Sequence, residues 1–91
     1  MATFLIETYL SRERAADMEA QAVRLVHAIA EIVAGAGPDR NLRLRHVRSF
    51  FVADDETCFH IIESPSADVV AEIARRAGLT PDRVVEASSA G

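Results

Sequence analysis

Residues 54–79 read DDETCFHIIESPSADVVAEIARRAGL, and this stretch decides the fold. A hairpin turn over Ala53 to Glu56 precedes an apolar strand, which the pattern predicts from Thr57 to Ser64. The segment 64–66, Ser-Pro-Ser, then opens a helix, with one of the two serines as its N-cap. Gly78 ends this helix. Its apolar stripe consists of Val69, Val70, Ile73, Ala74 and Ala77.

The preceding part of the chain also predicts a strand followed by a helix. Alternating residues from Thr3 to Tyr9 predict a strand, and the apolar periodicity from Arg12 to Val33 predicts a helix with Ser11 as its N-cap. Gly35, Gly37 and Pro38 end that helix. The remaining predicted segments are a loop over Asp39 to Asn41, a strand from Leu44 to Val52 and a short last strand from Arg83 to Ala87.

The order of these elements is β-α-β-β-α-β, which is typical of two right-handed crossovers joined by a hairpin. We therefore predict an α+β fold of the ferredoxin-like type, with a four-stranded antiparallel sheet and both helices on one face. Residues 1–87 form a single predicted domain, and residues 88–91 a flexible tail. The other face of the sheet carries Leu5 and Tyr9. We expect a second copy to cover it, which gives a homodimeric α+β barrel.

Composition and charge exclude several classes of protein. The net charge of −4 argues against a nucleic-acid partner, because such partners usually meet a strongly basic face. The single cysteine excludes an intramolecular disulfide, which fits a reducing compartment. The chain has no apolar run near the ~20 residues of a membrane helix, and its first residues, MATFLIETYL, do not read as a signal peptide. We predict a cytoplasmic protein.

The chain resembles a family of short actinobacterial proteins of uncharacterised function, which includes a nickel-binding protein. The resemblance rests on the runs FLIETYL, VRSFFV and TCFHIIESPSADVVAEIARRAGL, and most closely on Arg48-Ser49, Glu63, Pro65 and residues 74–78. It implies a dimeric ferredoxin-like fold and nickel as the metal. Many relatives carry a cysteine and a tyrosine in the third strand, next to the glutamate. Here that stretch reads CFHII over residues 58–62, so the resemblance supplies no ligand set.

His60 and Cys58 are the candidate metal ligands in the third strand. They lie two residues apart, so both side chains project to the same face, about 7 Å apart along the strand. If that face is the bare one, Glu7 on the neighbouring strand is a third ligand, and the set suits nickel or another divalent transition metal. If the face meets the helices, His60 is a core histidine with a backbone or serine partner and Cys58 is a small buried apolar residue. The sequence leaves both alternatives open.

Other charged residues have a structural and a functional interpretation. Glu63 lies on the face opposite His60, where it interacts with the free N–H groups of the following helix or approaches Glu7 as a carboxylate pair. Glu7 is otherwise a paired structural carboxylate, for instance with Arg48. The basic cluster marks either a charged sheet edge or a site for an anionic ligand. Its members are Arg40, Arg43, Arg45, His46 and Arg48.

Three functions follow from these residues. The first is a dimeric metal-binding protein for storage, buffering or sensing, with His60, Glu7 and Cys58 as ligands. The second is a cofactor-free barrel that binds or converts a small organic molecule, with Tyr9 and Arg48 in its ligand pocket. The third is a protein-interaction module. The sequence contains no Gly-rich phosphate loop, Cys-x-x-Cys or His-x-x-x-His motif, which disfavours an enzyme.

Overall fold

A computed structural model describes residues 2–37 and 43–88 of the protein. The predicted loop at residues 39–41, which includes Arg40 of the basic cluster, lies outside the described residues, as do Pro38 of the predicted helix end and residues 89–91 of the predicted tail. The elements in chain order are strand β1 (Ala2–Tyr9), a 3₁₀ turn (Arg12–Arg14), helix α1 (Asp17–Ala36), strand β2 (Arg45–Val52), strand β3 (Thr57–Ser64), helix α2 (Ala67–Arg76) and strand β4 (Arg83–Ala87). No helix in this part of the chain is both long and apolar enough to cross a bilayer.

The four strands form one antiparallel sheet in the order β2-β3-β1-β4, which confirms the ferredoxin-like prediction. β1 and β3 occupy the centre, and their register places Ile6 opposite His60 and Glu7 opposite Phe59. Directly opposed residues of an antiparallel pair share a face of the sheet. The register therefore fixes which side chains of the two central strands meet.

One face of the sheet is buried under the two helices. Residues of β1 from Thr3 to Thr8, and all residues of β3, alternate between partly exposed and buried positions, whereas Ala2 is partly exposed and Tyr9 is exposed. The buried set of these strands consists of Phe4, Ile6, Thr8, Cys58, His60, Ile62 and Ser64. Leu25 of α1 and Val70 and Ile73 of α2 pack on this face and are fully buried. Burying an aliphatic side chain of this size contributes about 1.5–3 kcal/mol, so this helix-facing side holds the sandwich together.

The uncovered face of the sheet carries an apolar centre. Leu5, Phe59 and Ile61 lie there in partly exposed positions, and Phe59 stacks on Phe50 of the neighbouring strand with ring centroids 5.0 Å apart. Tyr9 is 63% exposed at the end of β1. The sequence predicts both Leu5 and Tyr9 on this face, and the structure places them there.

The first helix begins later than its apolar periodicity predicts. The hydroxyl of Ser11 makes no capping hydrogen bond. The chain first forms a 3₁₀ turn, in which the Arg14 N–H donates to the Ser11 carbonyl at 2.9 Å. The α-helical part starts only at Asp17 and ends at Gly37, which has φ +79°, a conformation that glycine adopts without strain.

The second helix is capped by Ser66. Its Oγ accepts a hydrogen bond from the backbone N–H of Val69 at 3.3 Å, whereas the Ser64 hydroxyl donates to the Ser66 carbonyl. Of the two serines that the sequence offers as caps, the structure uses the second.

A Ser66→Ala variant is expected to lose about 1 kcal/mol of free energy of unfolding, because one N–H of the first turn of α2 loses its acceptor. Ser11→Ala is the matched control, since the Ser11 hydroxyl makes no cap bond. Urea titration followed by circular dichroism measures both. Equal losses in the two variants would contradict the assignment of the cap.

Candidate functional site

His60 faces the helices and is fully buried, as is Cys58 two residues before it. The strand register explains this placement, because His60 opposes Ile6 and Cys58 opposes Thr8, both on the helix-facing side of β1. Of the two orientations that the sequence leaves open, the structure has the one in which His60 finds a serine partner inside the core. That serine is Ser49 of β2.

Three side chains from three elements contact the imidazole of His60. Its Nδ1 lies 2.5 Å from Ser49 Oγ, and its Nε2 lies 2.9 Å from Gln21 Oε1 of α1. The same Nε2 lies 3.4 Å from Cys58 Sγ. Both ring nitrogens are therefore engaged, as expected for a buried polar group.

The protonation of this imidazole follows from its surroundings. Burial, and secondarily the nearby charge of His46, lower the pKa of His60 from 6.5 to about 4. At neutral pH the ring is uncharged and carries one N–H. Because Gln21 Oε1 only accepts hydrogen bonds, we assign this hydrogen to Nε2, which leaves Nδ1 to accept from the Ser49 hydroxyl.

His46 extends the chain of hydrogen bonds toward the surface. Its Nε2 lies 2.8 Å from Ser49 Oγ, and since the serine hydrogen points to His60, His46 donates to Ser49. The rings of His46 and His60 are 6.4 Å apart. Burial lowers the pKa of His46 as well. The result is a directed path in which His46 donates to Ser49, Ser49 to His60 and His60 to Gln21.

A β-bulge makes this path possible. Residues three apart on a regular strand point to opposite faces, so His46 and Ser49 would be separated by the sheet. In β2 the register shifts between His46 and Arg48, and Val47 is the extra residue. His46 therefore opposes Ile62 and Ser49 opposes His60, both on the helix-facing side.

Cys58 and Thr8 complete what we call the polar cluster, defined as Thr8, Gln21, His46, Ser49, Cys58 and His60. Burial raises the pKa of the Cys58 thiol, and a hydrogen bond with Thr8 opposes this effect only in part. Thr8 Oγ1 also donates to Gln21 Oε1 at 3.4 Å. The thiol is therefore protonated at neutral pH and lies beside a neutral imidazole.

The structure does not bring Glu7 to this cluster. Glu7 opposes Phe59 and lies on the uncovered face, so the sheet separates it from His60 and Cys58. Its carboxylate approaches the Arg83 guanidinium, with Oε2 3.8 Å from Nε, because β4 pairs with β1 in a register that sets these residues opposite each other. The expected partner Arg48 is therefore replaced by Arg83. The predicted ligand set of three does not form within one chain.

The remaining predicted site residues lie apart from one another. Glu63 pairs with Arg45, Oε1 to Nε 2.7 Å, instead of approaching Glu7 or the helix N–H groups. Tyr9 opposes Thr57, whereas Arg48 opposes Ile61, four residues further along β3. This offset is about 13 Å along the strands. Tyr9 and Arg48 therefore line no common pocket within the chain.

The polar cluster supplies two soft donors for a metal. Among residues 2–37 and 43–88, no group of three or more His, Cys, Asp or Glu side chains is arranged to hold an ion. His60 Nε2 and Cys58 Sγ are 3.4 Å apart. A tetrahedral ion with bonds of ~2.0–2.1 Å to nitrogen and ~2.3 Å to sulfur holds such donors roughly 3.5 Å apart. The pair therefore fits two positions of one coordination sphere, and Gln21 Oε1 is a neutral oxygen beside it.

The chain was compared with known protein families, and one family model matches most of it. A family model described as nickel responsive protein SCO4226-like matches residues 10–87. The chain belongs to this family. The match spans the whole polar cluster except Thr8, and it confirms the resemblance seen in the sequence. The family's name associates it with nickel.

A solved structure is similar over nearly the whole length of the chain. It is that of SCO4226 from Streptomyces coelicolor A3(2), with a TM-score of 0.62 and 16% sequence identity, and the match covers 99% of this chain and 100% of the other. At this identity the similarity establishes the fold. No curated protein matches the chain.

Proposed function

We propose that the protein binds a divalent transition ion of the nickel class, with His60 Nε2 and Cys58 Sγ as the donors of this chain. The observation that carries the proposal is their separation of 3.4 Å, which suits two donors on one ion. Imidazole nitrogen and thiolate sulfur are ligands that borderline and soft transition metals prefer over calcium or magnesium. The nickel-responsive family supports nickel as the first ion to test.

Ion binding requires the Cys58 thiol to release its proton and the neutral His60 ring to carry its hydrogen on Nδ1 instead of Nε2. The Cys58 thiol and the Nε2–H of His60 are protonated in the assigned network, and a ligand must present a lone pair in place of each hydrogen. Ser49 lies against Nδ1, so it can hold the imidazole in the tautomer that frees Nε2. In that tautomer the Nδ1–H of His60 donates to Ser49 Oγ, and the Ser49 hydroxyl turns to donate to His46 Nε2. Affinity for the ion therefore rises with pH.

Burial of the donors argues for slow exchange of the ion. Both His60 and Cys58 have no exposed surface, and Gln21 of α1 covers the imidazole. An ion reaches the pair only when α1 separates locally from β2 and β3, and such openings are rare compared with side-chain motion. Slow uptake and release suit storage or buffering, which we propose over rapid sensing.

The uncovered sheet face supports a homodimer as the working assembly. Its apolar centre, with Leu5, Phe59 and Ile61, is bordered by charges of both signs from the pairs Glu7–Arg83 and Glu63–Arg45. A surface that carries both signs around an apolar centre can be self-complementary across a two-fold axis. We propose a second copy as the occupant of this face.

Native mass spectrometry of the untagged protein tests both proposals. With added nickel we expect a dimer mass that carries one ion per chain, and a His60→Gln variant is expected to lose the ion but keep the dimer. His27→Gln is the matched control, because His27 is exposed on α1 away from the polar cluster. A His60→Gln variant that still takes up nickel would remove these donors from the proposal, and a monomer mass would remove the dimer.

A further inference from the structure

A separate pocket of about 360 Å³ lies where the end of β1 meets the first turns of α1. Its polar lining residues are Tyr9, Arg14, Asp17, Gln21 and Arg24, and Ala20 lies on its rim. Tyr9 lies at the end of β1, Arg14 in the 3₁₀ turn, and the other lining residues named here in the first two turns of α1. None of the metal donors proposed above lines it.

Arg24 offers this pocket a fixed guanidinium. Its Nε donates to the carbonyl of Ala77, at the end of α2, with a distance of 2.9 Å. This hydrogen bond fixes the orientation of the guanidinium plane and occupies its Nε–H. The two terminal amino groups then form a planar fork, which matches the two oxygens of a carboxylate or phosphate.

Gln21 offers the pocket an amide. Its Oε1 turns inward, where it contacts Thr8 Oγ1 and His60 Nε2. The amide nitrogen, with its two N–H donors, must point away from that oxygen. Within residues 2–37 and 43–88, no buried side-chain nitrogen or oxygen lacks a hydrogen-bond partner. The Gln21 nitrogen makes no hydrogen bond among these residues, so it is not buried, and Gln21 is one of the residues that line the pocket.

The charges around the pocket favour an anion. Arg14 and Arg24 carry two positive charges, against one negative charge on Asp17. Asp17 is already paired with Arg14, Oδ2 to Nη2 2.7 Å. Among the described residues that line the pocket, Arg24 is therefore the cation that remains for a ligand.

We propose that this pocket binds a small oxyanion, a carboxylate or a phosphate group, with Arg24 and Gln21 as its principal donors. The pocket has a volume of about 360 Å³, so a small organic acid or phosphate ester fits better than a large polyanion. The guanidinium of Arg24 lies apart from the proposed metal donors, since its Nε hydrogen-bonds to Ala77 of α2. Gln21 links the two, because the amide that meets the anion also accepts from His60.

The test uses the full chain after passage over a chelating resin, so that no metal contributes. Malonate and inorganic phosphate are titrated separately, and amide and arginine Nε–H resonances are followed by NMR. We expect saturable shifts of the Gln21 side-chain amide and of the Arg24 Nε–H. A response to malonate assigns the site to carboxylates, and a response to phosphate assigns it to phosphate groups. No saturable shift from either probe overturns the proposal.

Substitutions at the pocket rim give a matched pair. Ala20 is exposed on α1, so Ala20→Glu and Ala20→Gln both preserve the helix. Ala20→Glu places a carboxylate one turn before Arg24, where it competes with the ligand, and is expected to weaken binding roughly tenfold or more. Ala20→Gln adds similar bulk without the charge and is expected to weaken binding clearly less than Ala20→Glu, whereas Arg75→Gln on α2, outside the pocket, is expected to stay within about twofold. Equal loss in all three variants would show non-specific attraction and overturn the proposal.

Discussion

A Leu25→Ala variant is expected to lose about 3–4 kcal/mol of free energy of unfolding. Leu25 is fully buried where α1 meets the sheet, within the same core as Ile6, Ile62 and Ile73. Truncation removes its burial energy and leaves a cavity that the two layers cannot close without moving. A domain of 91 residues has roughly 5–14 kcal/mol in total, so this single change removes a large share of it.

Val26→Ala is the matched control for this prediction. Val26 follows Leu25 on the same helix but is 47% exposed, so its truncation is expected to cost less than about 1 kcal/mol. Guanidinium titration of both variants at one temperature gives the comparison. Similar losses at the two positions would contradict the packing of α1 through Leu25.

The second large effect is a loss of stability in mild acid. The folded protein keeps His60 neutral, with its pKa lowered to about 4, whereas the unfolded chain takes up a proton near pH 6.5. Above pH 6.5 neither state is protonated at this residue, and its full contribution to stability is present. Between pH 6.5 and 4 the unfolded state binds the extra proton, and the free energy of unfolding falls by about 3 kcal/mol. Below pH 4 both states are protonated and the decline ends.

Denaturant titrations at pH 7, 5.5 and 4 measure this decline, and two variants isolate its source. His60→Gln is expected to be less stable at pH 7 but to show a flatter pH profile, because no group titrates at that position. His27→Gln should retain the steep profile, since His27 is exposed. The pKa of the exposed Glu72 is lowered to about 2 by hydrogen bonds to Arg75 and Arg76, so its titration falls mostly below this window. An unchanged profile in His60→Gln would contradict the assignment.

The sequence predicts the architecture well, because the fold depends on periodicity. Alternation in β1 and β3 follows from one apolar face, and the predicted third and fourth strands have the bounds that the structure gives, Thr57–Ser64 and Arg83–Ala87. The start of α1 is less predictable. The apolar stripe begins only at Ala15, and the three charged residues of the 3₁₀ turn, Arg12–Arg14, give no periodic signal that distinguishes the two helix types over one turn.

The candidate site is only partly predictable. His60 and Cys58 are recognised by residue type, but their face depends on the register with β1, which one strand does not encode by itself. The sequence does contain a feature that could have identified Gln21. It is a polar residue four positions before Leu25, on the side of α1 that is buried. A polar side chain on the buried face of an amphipathic helix needs a hydrogen-bond partner in the core, which predicts a polar residue opposite it.

Glu7 shows the opposite failure. A carboxylate in the middle of an apolar strand suggests a metal ligand. The sequence predicts that the strand of Glu7 neighbours the strand of His60, and the pairing of β1 with β3 confirms this. The role of Glu7 depends, however, on the residue opposite it on β4, which is Arg83. Because β4 is short, its sequence carries too little pattern to predict its register with β1. The sequence therefore predicts which strands are neighbours, but it does not predict which residues face each other across them.

The extra residue Val47 has a consequence for comparisons between homologues. Before the bulge, side chains of β2 reach the helix-facing side at one parity of residue number, and after it they do so at the other. An ungapped alignment against a relative with a regular second strand would match residues from opposite sides of the sheet on one flank of the bulge. Insertions and deletions at this point, more than substitutions, decide whether a relative can place a residue where His46 lies.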